Sequence, residues 1–551
     1  MLAAASRRFR HGTALALVAL LGGAPGGLAQ AVAPVTLTQA PLIRAPLPAE
    51  AAFGQAVAAA AAEDEAVAGF YRDRGYRPLW TGAADAGRRA ALLAALDGAG
   101  LHALPEGRHD AAALVRQFQA AATEGDRGRA EVAMTRAFLS YAREVQSGIL
   151  TPGKIDKGIV REVPLRDRRE QLDAFAAADP VDFLRALPPQ HPEYARLVKA
   201  RLALLSAVER GGWGPAVPAK ALRPGQQGQA VVALRDRLMR MGYLGRTATQ
   251  IYDAAIQAAV QEFQFDHGLT ADGVAGEATL AEINQPPVAR LRAVTVAMER
   301  ERWTNIERGK RHIWVNLTDF SAKIVDDGKV TFATRAVVGS TIADKRTPEF
   351  SHRMTYMEVN PDWTVPPGII RRDYLPRLQA NPGALGHLQV VDSRGRVVPR
   401  SAVNFAAYTA GNFPYNLRQP PGPTNSLGRV KFMFPNPWSI YLHDTPEKHL
   451  FQRESRAYSS GCVRLNDPFD FAYILLAPQE ADPRAAFHRV LDSGRQERIF
   501  LKEPVPVHLE YRTAFTTAKG RVNYRRDIYG RDAAIWQALA DAGVAQVAEG
   551  G

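Results

Sequence analysis

The spacing of apolar residues changes twice along the chain, and the changes divide it into three parts. Over 50–210 apolar positions recur at helical spacing with almost no strand-like alternation; 133–145 shows the pattern, closed by Ser147-Gly148 and then Thr151-Pro152. This predicts an α-helical scaffold. Over 218–287 the predicted helices become short and punctuated. Val231, Leu234, Leu238 and Met241 share one helix face, and Ile256, Val260 and Phe263 share another. Gly242-Tyr243-Leu244 and His267-Gly268-Leu269 end these helices, and Asp272-Gly273-Val274-Ala275-Gly276 turns into a third. From Arg311 the period falls to two: Ile313, Val315 and Leu317 alternate with Trp314, Asn316 and Thr318, and Asp327-Gly328 marks a hairpin. Strand-like segments recur at 332–338, 354–359, 430–434, 440–442 and 499–501, which predicts a mostly β (α+β) domain over 295–515. A stretch over 361–423, dense in Pro, Gly, Asn and Arg, interrupts it and reads as an insert or lid.

The ends read differently. Residues 1–31 carry Arg7, Arg8 and Arg10, a short apolar core over 13–21 and an Ala29-Gln30-Ala31 exit, the outline of a secretory signal peptide. The apolar run is too short for a membrane span. Residues 32–49, rich in Pro, Ala and Thr, form a linker, and 516–551 a C-terminal extension. The formal charge of +13 falls to +10 without the three leading arginines. A basic exported protein suits an anionic wall or membrane surface. Nucleic acid is a poor partner, because export removes it and no lysine-rich run or aromatic-basic stripe supports it.

Export changes the meaning of the single cysteine, Cys462, since a lone thiol forms no disulfide within the chain and is open to oxidation. It lies in Tyr458-Ser459-Ser460-Gly461-Cys462-Val463-Arg464-Leu465, nineteen positions after His443. A thiol among small residues with a histidine upstream is the outline of an acyl-transfer nucleophile and its base. His443 ends the apolar segment Ser439-Ile440-Tyr441-Leu442, where its ring is held and aimed, and a neighbouring imidazole is expected to raise the thiolate fraction. Gly461 lets backbone approach substrate, and the N–H groups of Gly461 and Cys462 are natural oxyanion donors. Arg464 either pairs with a substrate carboxylate or forms a structural ion pair. Asp444 either orients His443 or bonds its own turn. Tyr441 shares the strand face of His443 and lines the site or packs in the core. No Cys-x2-Cys or His-Glu-x-x-His spacing calls for a metal, and nothing calls for a cofactor.

Three separated motifs then occur in order: Ser426-Leu427-Gly428-Arg429-Val430-Lys431-Phe432-Met433-Phe434-Pro435-Asn436, Tyr441-Leu442-His443-Asp444-Thr445-Pro446, and the segment around Cys462. Together they resemble the L,D-transpeptidase (YkuD-type) catalytic domain. Most of that family has His just before the Gly-Cys pair. Ser460 stands there in this chain, as in the large periplasmic YcbB-like branch, which also carries a helical scaffold, a peptidoglycan-binding module and an insert near the site. The segment 218–287 is similar to the three-helix peptidoglycan-binding module, whose alternative role is that of a spacer. The resemblance implies a periplasmic, wall-associated enzyme that uses no cofactor and acts on peptidoglycan tetrapeptide stems as donor and acceptor. Cys462 attacks the bond before the terminal D-alanine, and the thioester passes to a second stem as a 3→3 cross-link. Ser460, Tyr441 and Arg464 are the candidate substrate contacts, other wall-synthesis enzymes are candidate partners, and the resemblance implies carbapenems as inhibitors. Hydrolysis of the same thioester, as in an L,D-carboxypeptidase, uses the same residues. A non-catalytic wall-binding protein is the third reading, and the intact Cys462/His443 pair argues against it.

Overall fold

The computed structural model describes residues 48–517 and 520–544. The expected signal peptide and nearly all of the linker lie outside them. The chain is multidomain: a helical scaffold, a small three-helix module and a mixed-sheet domain bearing an insert. The scaffold is built on the helix Glu124–Ser147, which packs on Ala49–Ala61 and buries Phe138 against Trp80 and Phe175. In the module the helices Gln229–Arg240, Ala254–Asp266 and Glu277–Ile283 bring together Val231, Leu234, Leu238, Ile256, Val260 and Phe263 as one core.

The helix Pro287–Trp303 joins the parts. It follows the module, packs along the scaffold helix Pro192–Glu209, and is buried almost all round near its end, so it shows no amphipathic stripe. The expected domain start at 295 falls inside it. Glu299 accepts from the scaffold N–H groups of Ile149 and Leu150 at 2.8 and 2.9 Å. Arg300 reaches the other way, to Glu349 at 2.8 Å and to Asp532 at 2.7 Å. Arg531 adds a second cation to Glu349 at 3.2 Å. These charges are buried, and each is held by opposite charges and hydrogen bonds. Removing one partner of such a group costs about 3–5 kcal/mol because the others are stranded in low dielectric.

The strands are β1 (Arg311–Asn316), β2 (Ser321–Asp326), β3 (Lys329–Gly339), β4 (Phe350–Val359), β5 (Trp363–Thr364), β6 (Gln389–Val391), β7 (Val397–Val398), β8 (Asn416–Gln419), β9 (Val430–Met433), β10 (Leu442–His443), β11 (Ala457–Ser459), β12 (Val463–Leu465), β13 (Glu497–Glu510), β14 (Ala514–Thr516) and β15 (Val522–Tyr524). Nine of them order as β11-β3-β12-β10-β9-β4-β13-β1-β2, and β2 also pairs with β3, which closes eight strands on themselves. Ile313, Val315, Val338, Met357, Phe432, Leu442 and Val463 fill the interior. The β2–β3 turn is the expected one, with Asp327 at φ 47° and Gly328 at φ 77°, the left-handed pair that a two-residue hairpin demands.

The insert is more regular than its composition suggests. Strands β5, β8, β6 and β7 form a separate four-stranded sheet with its own core of Trp363, Leu375, Val390, Phe405 and Leu417. Strands of two to four residues are too short to show alternation, so the sequence reveals only an interruption.

Several buried histidines carry a pH consequence. Burial pushes His102 and His508 down to about 4, and His267 well below its ordinary value. The unfolded chain takes up protons at these sites near pH 6.5 while the folded chain refuses them. Stability from their neutral burial is therefore fully present above about pH 6.5 and is lost as pH falls toward the folded values. Thermal melts should show Tm falling between pH 7 and 5.5, above the range where most carboxylates titrate. A flat Tm over that interval contradicts the buried neutral state.

Candidate active site

Strand register assembles the site. β10 lies between β9, antiparallel with His443 opposite Lys431, and β12, parallel with His443 beside Arg464. Leu442, Phe432 and Val463 turn into the core, so Tyr441, His443, Lys431, Cys462 and Arg464 emerge on the other face. Cys462, two residues before Arg464, falls beside Tyr441, where the Val463 N–H donates to the Tyr441 carbonyl at 3.1 Å. Cys462 and His443 are thus diagonal neighbours on one face. They border a cavity of about 1020 Å³, whose far wall is the insert, including Trp363 and Tyr374. Tyr441 both lines this cavity and packs on the insert core.

The imidazole is fixed by backbone. His443 is 4 % exposed, and its Nδ1 sits 2.5 Å from the Asp444 carbonyl oxygen. A carbonyl only accepts, so Nδ1 carries the proton in this contact, and no hydrogen bond joins the ring to Cys462 among the described residues. Of the two roles open to the Asp444 carboxylate, orienting the ring is not the one its contacts take. That carboxylate accepts instead from the Arg429 N–H at 2.9 Å and from Lys448 Nζ at 2.8 Å. Gly428, at φ 62°, makes room for it, because a Cβ there would lie 2.3 Å from the Asp444 carboxyl carbon.

Electrostatics also depart from expectation. Burial, helped by the Arg464 charge, pushes His443 down to about 3, and burial pushes the Cys462 thiol up to about 11. Both groups rest neutral, with no thiolate–imidazolium pair. Cys462 is half-buried, opening on the cavity, and its thiol donates to the Ser439 carbonyl at 3.6 Å. Asn436 braces that turn: its side-chain nitrogen donates to the Ile440 carbonyl at 2.7 Å and its oxygen accepts from the Trp438 N–H at 3.1 Å.

The Arg464 guanidinium pairs with Glu447, yet its Nε, also buried, has no partner among the described residues. Ser460 is exposed and lines the cavity. Gly461 is buried at φ 124°, a conformation open to glycine. The N–H groups of Gly461 and Cys462 have no acceptor among the described residues.

Two residues that hold this loop carry no motif of their own. Thr347 Oγ1 donates to the Gly461 carbonyl at 2.7 Å and accepts from the Gly339 N–H at 2.8 Å. Tyr529 closes the ring, donating to the Gly339 carbonyl at 2.6 Å. Across a trans peptide the N–H points away from the preceding carbonyl. Thr347 therefore fixes the direction in which the Cys462 N–H is presented. No spacing or periodicity in the sequence marks either Thr347 or Tyr529.

Residues 310–497 match the L,D-transpeptidase catalytic domain. Residues 65–200 match a scaffold domain, and 227–283 match a family described as "Putative peptidoglycan binding domain". A Haemophilus influenzae protein named "Putative L,D-transpeptidase" is 34 % identical over 243 residues, which are 44 % of this chain and 48 % of that protein. The match thus spans about half the length of this curated relative. Among solved structures, L,D-transpeptidases of Xylanimonas cellulosilytica and Stackebrandtia nassauensis align at 17 % and 16 % identity over 54 % of this chain. They are covered to 100 % and 97 %, with TM-scores of 0.17 and 0.22, too low to establish a shared arrangement. The segment that matches the L,D-transpeptidase domain contains both Cys462 and His443. Among the described residues no helix is long and apolar enough to cross a membrane.

The positioning role of Thr347 is testable. Thr347→Val keeps the shape and removes the donor, and should slow acylation of Cys462 about 10- to 100-fold, the scale of a misplaced oxyanion donor. Thr347→Ser should restore most of the rate. Equal rates for all three forms, measured by intact mass against time, contradict the role.

Proposed function

We propose that the protein is a cysteine acyltransferase of the cell wall, an L,D-transpeptidase that joins peptidoglycan stems by 3→3 cross-links and releases D-alanine. The observation that carries this reading is the placement of the only thiol and a tautomer-fixed imidazole on one strand face, inside the segment matching the L,D-transpeptidase domain. Nε2 of His443 takes the proton as Cys462 Sγ attacks the carbonyl before the terminal D-alanine, and the N–H groups of Gly461 and Cys462 stabilise the oxyanion. The imidazolium returns the proton to the leaving amine of D-alanine, and a thioester remains. The side-chain amine of a second stem then attacks the thioester, with His443 again as base. Arg464, Ser460 and Tyr441 face the cavity where the donor stem lies. The insert excludes water, which favours the amine over hydrolysis.

Incubation with disaccharide tetrapeptide and mass spectrometry of the products tests the reading. Dimer lacking one D-alanine is expected, and Cys462→Ala should form none. Tripeptide monomer alone indicates a carboxypeptidase, and unchanged substrate a non-catalytic protein. A carbapenem should leave one covalent adduct per chain on Cys462, since its strained carbonyl is an activated amide and a stable thioester results. An adduct that persists in Cys462→Ala removes the thiol from the mechanism.

A further inference from the structure

A second charged cavity lies away from the active site. It runs between the three-helix module, at Phe265 and Leu269, and the closed sheet, at Arg335 and Arg456, and holds about 520 Å³. A neighbouring cavity of about 570 Å³ shares Asp319, Arg335 and Arg456 with it and extends it along β3. Five arginines border the groove: Arg335, Arg453, Arg456, Arg525 and Arg526. Of these, only Arg526 has a carboxylate partner among the described residues, Glu454 at 3.3 Å. The others are held by neutral groups. Arg456 Nη1 donates to the Arg453 carbonyl at 2.9 Å and Nη2 to the Asp319 carbonyl at 3.2 Å. Arg525 Nη1 donates to the Asp266 carbonyl at 2.9 Å, Arg335 Nη1 to the Phe451 carbonyl at 3.2 Å, and Arg453 lies over the Tyr458 ring. Carbonyl dipoles satisfy the donors but leave the net charge. Two further acids face the groove: Asp319 takes the Ser321 hydroxyl at 2.6 Å and Lys323 at 3.9 Å, and Asp467 takes the Thr334 hydroxyl at 2.8 Å.

We propose that this groove is a second binding site, which takes the carboxylates of a wall peptide stem. Planar guanidinium groups suit carboxylates in bidentate pairing. Along the chain, Arg456 runs directly into β11 and then into Ser460, Gly461 and Cys462. β11 ends the strand order, so its outer edge is free of described strands and offers backbone partners to an extended peptide over roughly 10 Å. The site rests on the reading that the protein acts on wall peptides, and it adds a place for a second stem outside the active-site cavity.

Full-length Cys462→Ala, which cannot turn over, is titrated with a diaminopimelate-containing tetrapeptide by calorimetry. Two equivalents per chain are expected, and the added exposed-residue changes Arg335→Gln and Arg453→Gln should weaken one class at least tenfold. One equivalent in Cys462→Ala overturns the proposal without reference to the arginine variant. Two undiminished equivalents in the arginine variant also overturn it, as does a groove filled by inorganic phosphate with no second tetrapeptide bound. Intact mass of the chain with native Cys462 separates the two readings. A thioester with a single bound equivalent sinks the groove alone, whereas two equivalents without any thioester keep the groove and sink the catalytic reading.

Discussion

The hydrogen bond from Thr347 to the Gly461 carbonyl is the constraint on which the site depends. It sets the peptide plane before Cys462, and so the direction of the N–H that would meet a developing oxyanion. The bond is rigid because Thr347 is itself fixed. Gly339 donates to it, Tyr529 clamps Gly339, and Arg531 donates to the Thr347 carbonyl at 3.1 Å. Arg531 in turn shares Glu349 with Arg300 of the joining helix. A buried ionic network thus connects the nucleophile loop to the scaffold and to the C-terminal segment. Such networks contribute little net stability, since desolvation offsets the Coulomb gain, but they tolerate few alternative arrangements when every partner is present.

Electrostatics follow from the same burial. The site keeps its thiol protonated and its imidazole neutral, the inverse of a preformed ion pair. In the proposed reaction, proton transfer would then accompany attack on an arriving substrate carbonyl. A resting thiolate reacts with oxidants, and a neutral thiol largely escapes that fate. The insert contributes by packing on Tyr441 and walling the cavity.

Much of this architecture is legible in the sequence, and the exceptions have physical causes. The alternation from Ile313, the Asp327-Gly328 turn and the helix faces of Val231 and Ile256 are local patterns, and local patterns survive in sequence. Cys462 and His443 are visible because a lone thiol and a strand-end histidine are unusual. The protonation states were not visible, since they depend on how much water the fold removes rather than on which residues are neighbours in the chain. The contact that holds the His443 ring is hidden for a related reason: it is made by the Asp444 backbone oxygen, which is common to every residue. Thr347 and Tyr529 reach Gly461 and Gly339 over separations of 114 and 190 residues, and no spacing rule operates at that range. The helix Pro287–Trp303 hides its role because it is buried on all sides and presents no stripe.

The central claim is that burial holds Cys462 and His443 as a neutral pair at rest. The rate of Cys462 alkylation by iodoacetamide as a function of pH, followed by intact mass, tests it most directly. The chain has no other thiol, so each added carbamidomethyl group on sulfur reports this site. The account predicts a rate that climbs steadily through neutral pH and keeps rising beyond pH 9, as a thiol pushed up to about 11 demands. A rate already at its plateau near pH 7 would mean a resting thiolate paired with imidazolium, and would contradict the account.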